Sequence, residues 1–568
     1  MKALGTHGLK LGFDFENNSD DNTTAYTGTD FDPNDRFAGH LIYSTDAGGA
    51  GLRIERGFGL PRPVNAFGEA GVLCGTSGDR YCYNNTRAIT TTRNYAVYLR
   101  DQWIVGGNTG LVINAGLRWE AQELLGANRI RQVGIYDNVA PRVGAVWDPL
   151  GSGRVNIYAN YGRFYQSIPM DINDRNFSGQ GLLIGRGYTD DCATAPLAPG
   201  ASRSLPIPAA AAGKPCSLTD PLASGGGAYA PVAPGLKGQF LQEVVVGQQV
   251  DVGLDLVLGA YFTYRGLGSI VEDLSVDGGS TYFIANPGQT PNGDLVAQLA
   301  EESKRARTAA EGNPNDQALQ DAADLAQRRL DVYKAQATFP KATREYYALS
   351  LTANKRLSNR FSLLANYTYS RLTGNYPGPY SPYNNQLDPN MSTQFDIIDL
   401  VINRNGPLNN DRPHNFKFTG FYQQPIGANG MLTTSLTFTA LSGRPIQVLG
   451  QHPAYGYREV FVLPSGSGGR TPTVTQTDLH LAYEHKLGKL VKLSVYGDVI
   501  NLFNQQEVIN VDDEYTKSFV LPIPYGKTED LRQLKTADGA PLFLNSNYGQ
   551  PTAFQSPLTL RFGARLSF

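Results

Sequence analysis

The feature that most constrains this chain is a two-residue alternation of apolar and polar side chains, in stretches of about ten residues repeated from end to end. Leu9, Leu11, Phe13 and Phe15 alternate with Lys10, Gly12 and Asp14, and Leu111, Ile113, Ala115, Leu117 and Trp119 with Asn114, Gly116 and Arg118. Phe361, Leu363, Ala365 and Tyr367 alternate with Ser362 and Asn366; Leu558, Leu560, Phe562, Ala564, Leu566 and Phe568 with Thr559, Arg561, Gly563, Arg565 and Ser567. Neighbouring side chains on a strand point to opposite faces, so each stretch reads as a strand with one apolar face. A soluble sandwich alternates as well, and the connections decide between the two. Tight turns at 106–109, 150–153, 251–253, 356–359, 426–430 and 486–488 take turns with long connections such as 17–92 and 167–237. Sorting of loop lengths by side belongs to an antiparallel up-and-down transmembrane β-barrel, with periplasmic turns and extracellular loops.

This rule predicts about fourteen strands, at 7–16, 93–105, 111–120, 139–148, 154–166, 238–250, 254–266, 345–354, 360–371, 413–423, 431–441, 475–485, 490–502 and 557–568. Trp103, Trp119, Trp147, Tyr165, Tyr264, Tyr369, Tyr422 and Tyr483 fall near strand ends, where interfacial girdles place aromatic rings. The mean hydropathy of -0.30 excludes a helical membrane protein, and no apolar run reaches the roughly 18 residues of a spanning helix. A net charge of -2 speaks against a nucleic-acid partner.

Other segments depart from the strand pattern. Residues 294–337, rich in Ala, Glu, Lys, Gln and Arg and broken at Gly312-Asn313-Pro314-Asn315-Asp316, read as a helical hairpin in an extracellular loop, its second helix capped near Asn315 or Asp316. Four cysteines form two local pairs, Cys74 with Cys82 and Cys192 with Cys216, in Gly/Ser/Pro-rich stretches suited to loop disulfides outside the cytoplasm. The opening Met1-Lys2-Ala3-Leu4-Gly5-Thr6 has no apolar signal region, so Met1 is expected to be internal to a longer protein or the sequence to be truncated. Phe568 closes an alternating strand and resembles the terminal aromatic by which bacterial outer-membrane proteins are recognised for insertion, which makes the barrel-assembly machinery an expected partner beside outer-membrane lipid.

Chemistry is sparse. Of the six histidines, His480 and His485 fall on opposite faces of one strand and His414 starts another, so no metal pair or catalytic base is expected. No GxSxG, Walker A or HExxH motif occurs, and no enzyme is expected. Asp512-Asp513-Glu514 and the run Asn17 to Asn22 are candidate loop calcium ligands without a fixed spacing, read first as solvated loop charges; no cofactor is expected. Lys10, Arg100, Arg118, Arg142, Lys417, Lys492, Arg561 and Arg565 alternate out of phase with the apolar set and are expected to face the lumen, docking an acidic plug surface or attracting an anionic ligand.

Several stretches resemble the C-terminal barrel of TonB-dependent receptors, specifically the Oar-like group. They are Tyr95-Ala96-Val97-Tyr98-Leu99-Arg100-Asp101-Gln102-Trp103, then Asn138 to Pro149 with Pro141-Arg142-Val143-Gly144, and Tyr161-Gly162-Arg163-Phe164-Tyr165. Asn405 to His414, Gly469-Arg470-Thr471-Pro472, Asp498 to Asn504 and Asn547-Tyr548-Gly549-Gln550-Pro551 follow in order, so the likeness spans nearly the whole chain. The resemblance implies a barrel of about 22 strands closed around an N-terminal plug, with a TonB box facing the periplasm. Judged against it, the chain lacks the signal, TonB box, plug and about eight strands, so TonB contact is expected only through a missing N-terminal region. The leading expectation is a receptor barrel handling an unidentified ligand through its loops. A passive channel of about fourteen strands and a surface adhesin or anchor are the alternatives.

Overall fold

The computed structural model describes residues 5–25, 40–44, 51–59, 85–178, 181–187, 223–226, 230–276, 278–279, 282–383, 393–488 and 491–568. Fourteen strands follow one another in chain order across a single antiparallel sheet: β1 Thr6–Ala25, β2 Asn85–Ile104, β3 Leu111–Leu125, β4 Arg131–Trp147, β5 Val155–Tyr165, β6 Phe240–Asp251 and β7 Leu256–Ser269 form its first half. The second half is β8 Arg344–Ser358, β9 Phe361–Gly374, β10 His414–Ile426, β11 Gly430–Leu441, β12 Val474–Lys486, β13 Lys492–Ile500 and β14 Thr559–Ser567. A two-residue segment, Gly406–Pro407, adds to the edge of β9. Among the described residues β1 pairs with β2 alone and β14 with β13 alone, so the sheet is open at both ends.

The tight turns lie at one end of the wall. At Asn359-Arg360 both residues have positive φ, 50° and 68°, and Ser358 pairs with Phe361, the geometry whose twist matches two right-handed strands. Leu254 and Asp255 repeat it between β6 and β7, at φ 56° and 60°. The opposite end carries the long connections, with one departure from the expected sorting: β3 and β4 are joined there by only residues 126–130. Both strands extend well past the predicted 111–120 and 139–148, so this hairpin projects as a paired ribbon instead of opening into a long loop.

Register separates two chemically distinct faces. Directly opposed residues of antiparallel strands share a face. Leu11 opposes Leu99, which opposes Leu117, while Phe562 opposes Gly497 beside the Leu560–Val499 pair. Leu11 and Phe562 are 75% and 79% exposed, so no described residue covers the apolar face at these positions. All eight predicted girdle aromatics, from Trp103 to Tyr483, lie on it by register. The other face is partly covered. Helix α1, Met170–Phe177, lies over β2 and β3, where Asn173 donates to the Thr91 carbonyl at 3.0 Å and Thr90, Thr92 and Ala96 are buried.

Above this end a compact layer forms from the connections. Phe177, Leu124, Ile135, Ile172 and Ile284 make one apolar cluster, and Phe283, Leu274, Phe339, Tyr376 and Phe395 another. Within the 294–337 segment two helices run, α2 Gly293–Gly312 and α3 Gln317–Ala335. Asn292 caps α2 by accepting from the Asp294 and Leu295 amides, and Asp316 accepts from the Leu319 amide at the start of α3. Leu299, Leu330 and Tyr333 close the helix–helix seam. No helix among the described residues is long and apolar enough to cross a membrane; this says nothing against crossing by strands.

Candidate functional site

Two regions concentrate charge, and they use it differently. The first is a platform in the connections β9–β10, β11–β12 and β13–β14. Its frame is a three-stranded sheet of Gly456–Phe461, Leu449–His452 and Glu514–Phe519, with Val448, Val460, Val462, Leu463 and Val520 buried beneath it. Arg444 ties the three connections together. Its guanidinium donates to both Asp513 oxygens at 2.9 and 3.3 Å, to Asn510 Oδ1 at 2.7 Å, to Asn409 Oδ1 at 3.3 Å and to the Pro445 and Val511 carbonyls. Burial raises the Asp513 carboxyl and the Arg444 hydrogen bonds oppose that rise.

Two more arginines repeat the theme. Arg404 is 3% exposed and pairs with Glu459 at 3.3 Å, while donating to the Leu400 and Glu459 carbonyls. Burial lowers its pKa, and Glu459 counters. Arg470 bonds the Asp411 carboxylate, and Asp411 in turn accepts from the Leu372 amide at 2.6 Å. Three of the motif segments that carried the sequence resemblance meet here, through Asn409 and Asp411, Arg470, and Tyr548, whose hydroxyl donates to the Gln447 carbonyl. They act as fasteners between loops far apart in sequence. Arg444 itself drew no attention in the sequence, where Gly443-Arg444-Pro445 looks like an ordinary turn.

The second region is the polar face of the wall. Register puts Lys10, Arg100, Arg118, Arg142, Lys417, Lys492, Arg561 and Arg565 all on the partly covered face, opposite the exposed apolar one. They form separate groups. Lys10 and Arg100 are directly opposed, and Arg100, Arg118 and Arg142 line a shallow cavity of about 460 Å³ over β2 to β5. Arg118 is held by Asp14 at 2.7 Å and by Glu120; Arg142 stacks over the Phe164 ring at 4.6 Å. Gly144 keeps the cavity open: a Cβ there would come within 2.1 Å of Asn160 Oδ1. Lys492 and Arg565 are diagonal neighbours at one end of the β13–β14 pair, and Arg561 lies further along, opposite Asp498, which accepts from Arg561 Nε at 2.6 Å and contacts His480 Nδ1 at 2.6 Å. This Arg561–Asp498–His480 group joins the histidine read from sequence to a carboxylate inside the motif run 498–504. Lys417 stands apart on β10.

The remaining candidates resolve as follows. His480 and His485 face opposite sides of β12, and His414 begins β10 stacked against Tyr367. Asn17 to Asn22 are not in a loop: β1 continues through them to Ala25, so Asp20 and Asp21 point to opposite faces. Asp512 and Asp513 are engaged by Arg458 and Arg444 at 2.5 and 2.9 Å, and are not solvated loop charges. No group of three or more metal-ligating side chains occurs among the described residues. Cys74, Cys82, Cys192 and Cys216 lie outside the described residues. Phe568 follows β14 and is fully exposed.

A wall of amphipathic strands with one lipid-compatible face, aromatic rings at its margins and a structured loop layer above one end defines an outer-membrane β-barrel. The chain belongs to the outer membrane beta barrel domain family, which it matches over residues 126–452. Its site is the Gram-negative outer membrane. Over its whole length it is 30% identical to the TonB-dependent transporter Oar of Myxococcus xanthus, a transporter and not an enzyme, and it spans 50% of that relative's length. Among solved structures it is similar to the outer membrane transporter YddB of Escherichia coli, at 10% identity and TM-score 0.38, covering 87% of this chain and 57% of that one. The FrpB iron transporter of Neisseria meningitidis gives 10% identity and TM-score 0.42, covering 84% of this chain and 46% of that one.

Proposed function

We propose that this chain is barrel wall of a TonB-dependent, Oar-like outer-membrane transporter, with its long connections outside the cell and its basic face lining the lumen. The observation that carries the reading is that the eight basic residues singled out in the sequence share the face over which α1 folds, since loops fold into a lumen and not into hydrocarbon. On this reading Arg100 and Arg142 meet an acidic plug surface or an anionic ligand, the loop platform and the α2–α3 hairpin form the outer ligand-handling surface, and Phe568 engages the barrel-assembly machinery. Contact with TonB belongs to a part of the receptor beyond these residues, consistent with a relative twice as long. A passive pore fits less well, because the sheet, unclosed among the described residues, does not seal a channel by itself.

The test uses cysteine substitutions in the whole receptor. Lys417→Cys is expected to react with a membrane-impermeant maleimide, and Phe418→Cys, its neighbour on the opposite face, to stay protected. Labelling at position 417 is expected to rise in energised cells and to lose that rise without TonB. Labelling indifferent to TonB would replace transport with a passive or anchoring role.

A further inference from the structure

The ladder between β4 and β5 stops at the pair Arg142–Gly162. The next residue on β4 is Pro141, whose nitrogen carries no hydrogen to continue it. Beyond this point β4 stays with β3, through Trp119–Val139 and Glu120–Asn138, whereas β5 stays with β6, through Arg163–Gln242 and Tyr165–Phe240. The wall therefore carries a seam at the height of the girdle residues Trp119 and Tyr165. A cavity of about 540 Å³ fills it, lined by Asp137, Arg163, Tyr165, Phe240, Lys237 and Lys341.

Its chemistry is that of a membrane interface with a surplus of positive charge. Arg163 and Tyr165 sit one and three residues beyond Gly162, which opposes Arg142 on the basic face, so both belong to the apolar, outward face. The Arg163 guanidinium lies over the Phe240 ring at 4.6 Å, and its Nε is shielded from solvent without a hydrogen-bond partner. Lys237 is paired with Asp137, the single carboxylate of the lining, so among the described residues Arg163, which is hydrogen-bonded to the Tyr165 and Tyr161 hydroxyls, and Lys341 have no carboxylate partner. Directly below the seam the outward face turns apolar, with Val143, Tyr161 and Val244 opposed across three strands.

Hydrocarbon does not suit this place, because a strand edge left unladdered among the described residues and cations without a carboxylate partner need hydrogen-bond acceptors and counter-charge. Water alone does not explain the apolar shelf beneath. We propose that the seam binds the phosphorylated sugar headgroup of an outer-leaflet glycolipid. Its phosphate accepts from Arg163 and Lys341, its hydroxyls meet the free edge of β4, and its acyl chains lie along Val143, Tyr161 and Val244.

The whole receptor, purified in mild detergent and stripped of lipid, is offered four probes: a bisphosphorylated glucosamine glycolipid (lipid A), the same lipid without phosphates, phosphatidylglycerol and inorganic phosphate. Bound lipid is counted by native mass spectrometry. Lipid A is expected to be retained, and retention to fall about five-fold for each cation removed in Arg163→Gln and Lys341→Gln. Arg305→Gln, an exposed cation of the helical hairpin, is the charge control and is expected to retain lipid A fully. Heat-modifiable gel migration reports folding; Lys341 lies outside every wall strand, so its variant serves where Arg163→Gln fails to fold. Equal retention of the phosphate-free lipid, equal retention of phosphatidylglycerol, displacement by inorganic phosphate or unchanged retention in the Lys341 variant each overturns the proposal.

Discussion

Replacing Arg444 with alanine tests whether the loop platform is held by buried charge. In the native protein Arg444 and Asp513 are 5% and 7% exposed and share two contacts at 2.9 and 3.3 Å. Removing one member leaves a buried carboxylate and strands the Asn510, Asn409, Pro445 and Val511 acceptors, which places the cost near the 3–5 kcal/mol typical of broken buried pairs, roughly. The loss is local, since the wall is held by ladders that Arg444 does not touch. Hydrogen exchange should therefore accelerate about 10²–10³-fold in 444–471 and 510–550, with amides of β2 to β5 unchanged. Arg444→Met combined with Asp513→Leu removes both charges and is expected to recover most of the protection, because apolar replacement of a whole buried pair is often neutral. Equal exchange in wild type and Arg444→Ala, or acceleration that begins in the wall, would refute this account.

Three further outcomes are expected. Leu11→Lys, at the middle of the exposed apolar face, should destabilise the protein in lipid vesicles by roughly 2–4 kcal/mol in urea titration, and Lys10→Gln on the other face should change it little. The Cys74–Cys82 and Cys192–Cys216 pairs should appear as non-reduced cross-linked peptides by mass spectrometry, each adding roughly 2–4 kcal/mol to its loop; free thiols on alkylation without reductant would rule them out. Asp396, in the loop layer, has its pKa raised to about 9, chiefly by burial and then by the charge of Asp273. The native form thus holds a proton that the opened form releases, so platform stability is fullest below the ordinary carboxylate range and declines as pH rises from about 4 towards 9. Exchange at 393–404 that slows with rising pH, after correction for intrinsic rates, would contradict this, as would an unchanged profile in Asp396→Asn.

The wall was legible because each strand separates two unlike environments, and that contrast is written residue by residue. Lys10 between Leu9 and Leu11, or Arg561 between Leu560 and Phe562, announces both the strand and its orientation. Legibility faded where the contrast fades. Beyond Glu16 both faces of β1 are polar, so the strand's continuation to Ala25 looked like a loop. The β3–β4 ribbon was missed above Trp119 for the same reason, since Val133 and Ile135 there pack against loop residues instead of lipid. The platform was illegible for a different cause. Arg444 meets Asp513, and Asp411 meets Arg470, across separations that local pattern does not report. The motifs located some of these residues without saying that they join one another.

Counting donors separates residues that fasten from residues with capacity left to bind. A guanidinium has five N–H groups. Those of Arg444 serve six acceptors, some of them shared, and Arg470 is likewise engaged by Asp411 and the Gly443 carbonyl. Such side chains are spent, and a ligand gains contact with them only by dismantling the platform. Arg142 stacks on Phe164 and Arg100 lies beside Lys10, and neither forms an ion pair among the described residues. Their cavity also includes Arg118, already neutralised by Asp14 and Glu120, which screens part of the mutual repulsion without consuming its neighbours' donors. An anionic surface entering the wall meets Arg100 and Arg142 with donors unspent over β2 to β5, whereas Arg444 and Arg470 at the platform are held by the platform's own acceptors. On the function proposed above, the platform would act by fixing its loops relative to one another, and the unpaired cations of the wall would supply the attraction.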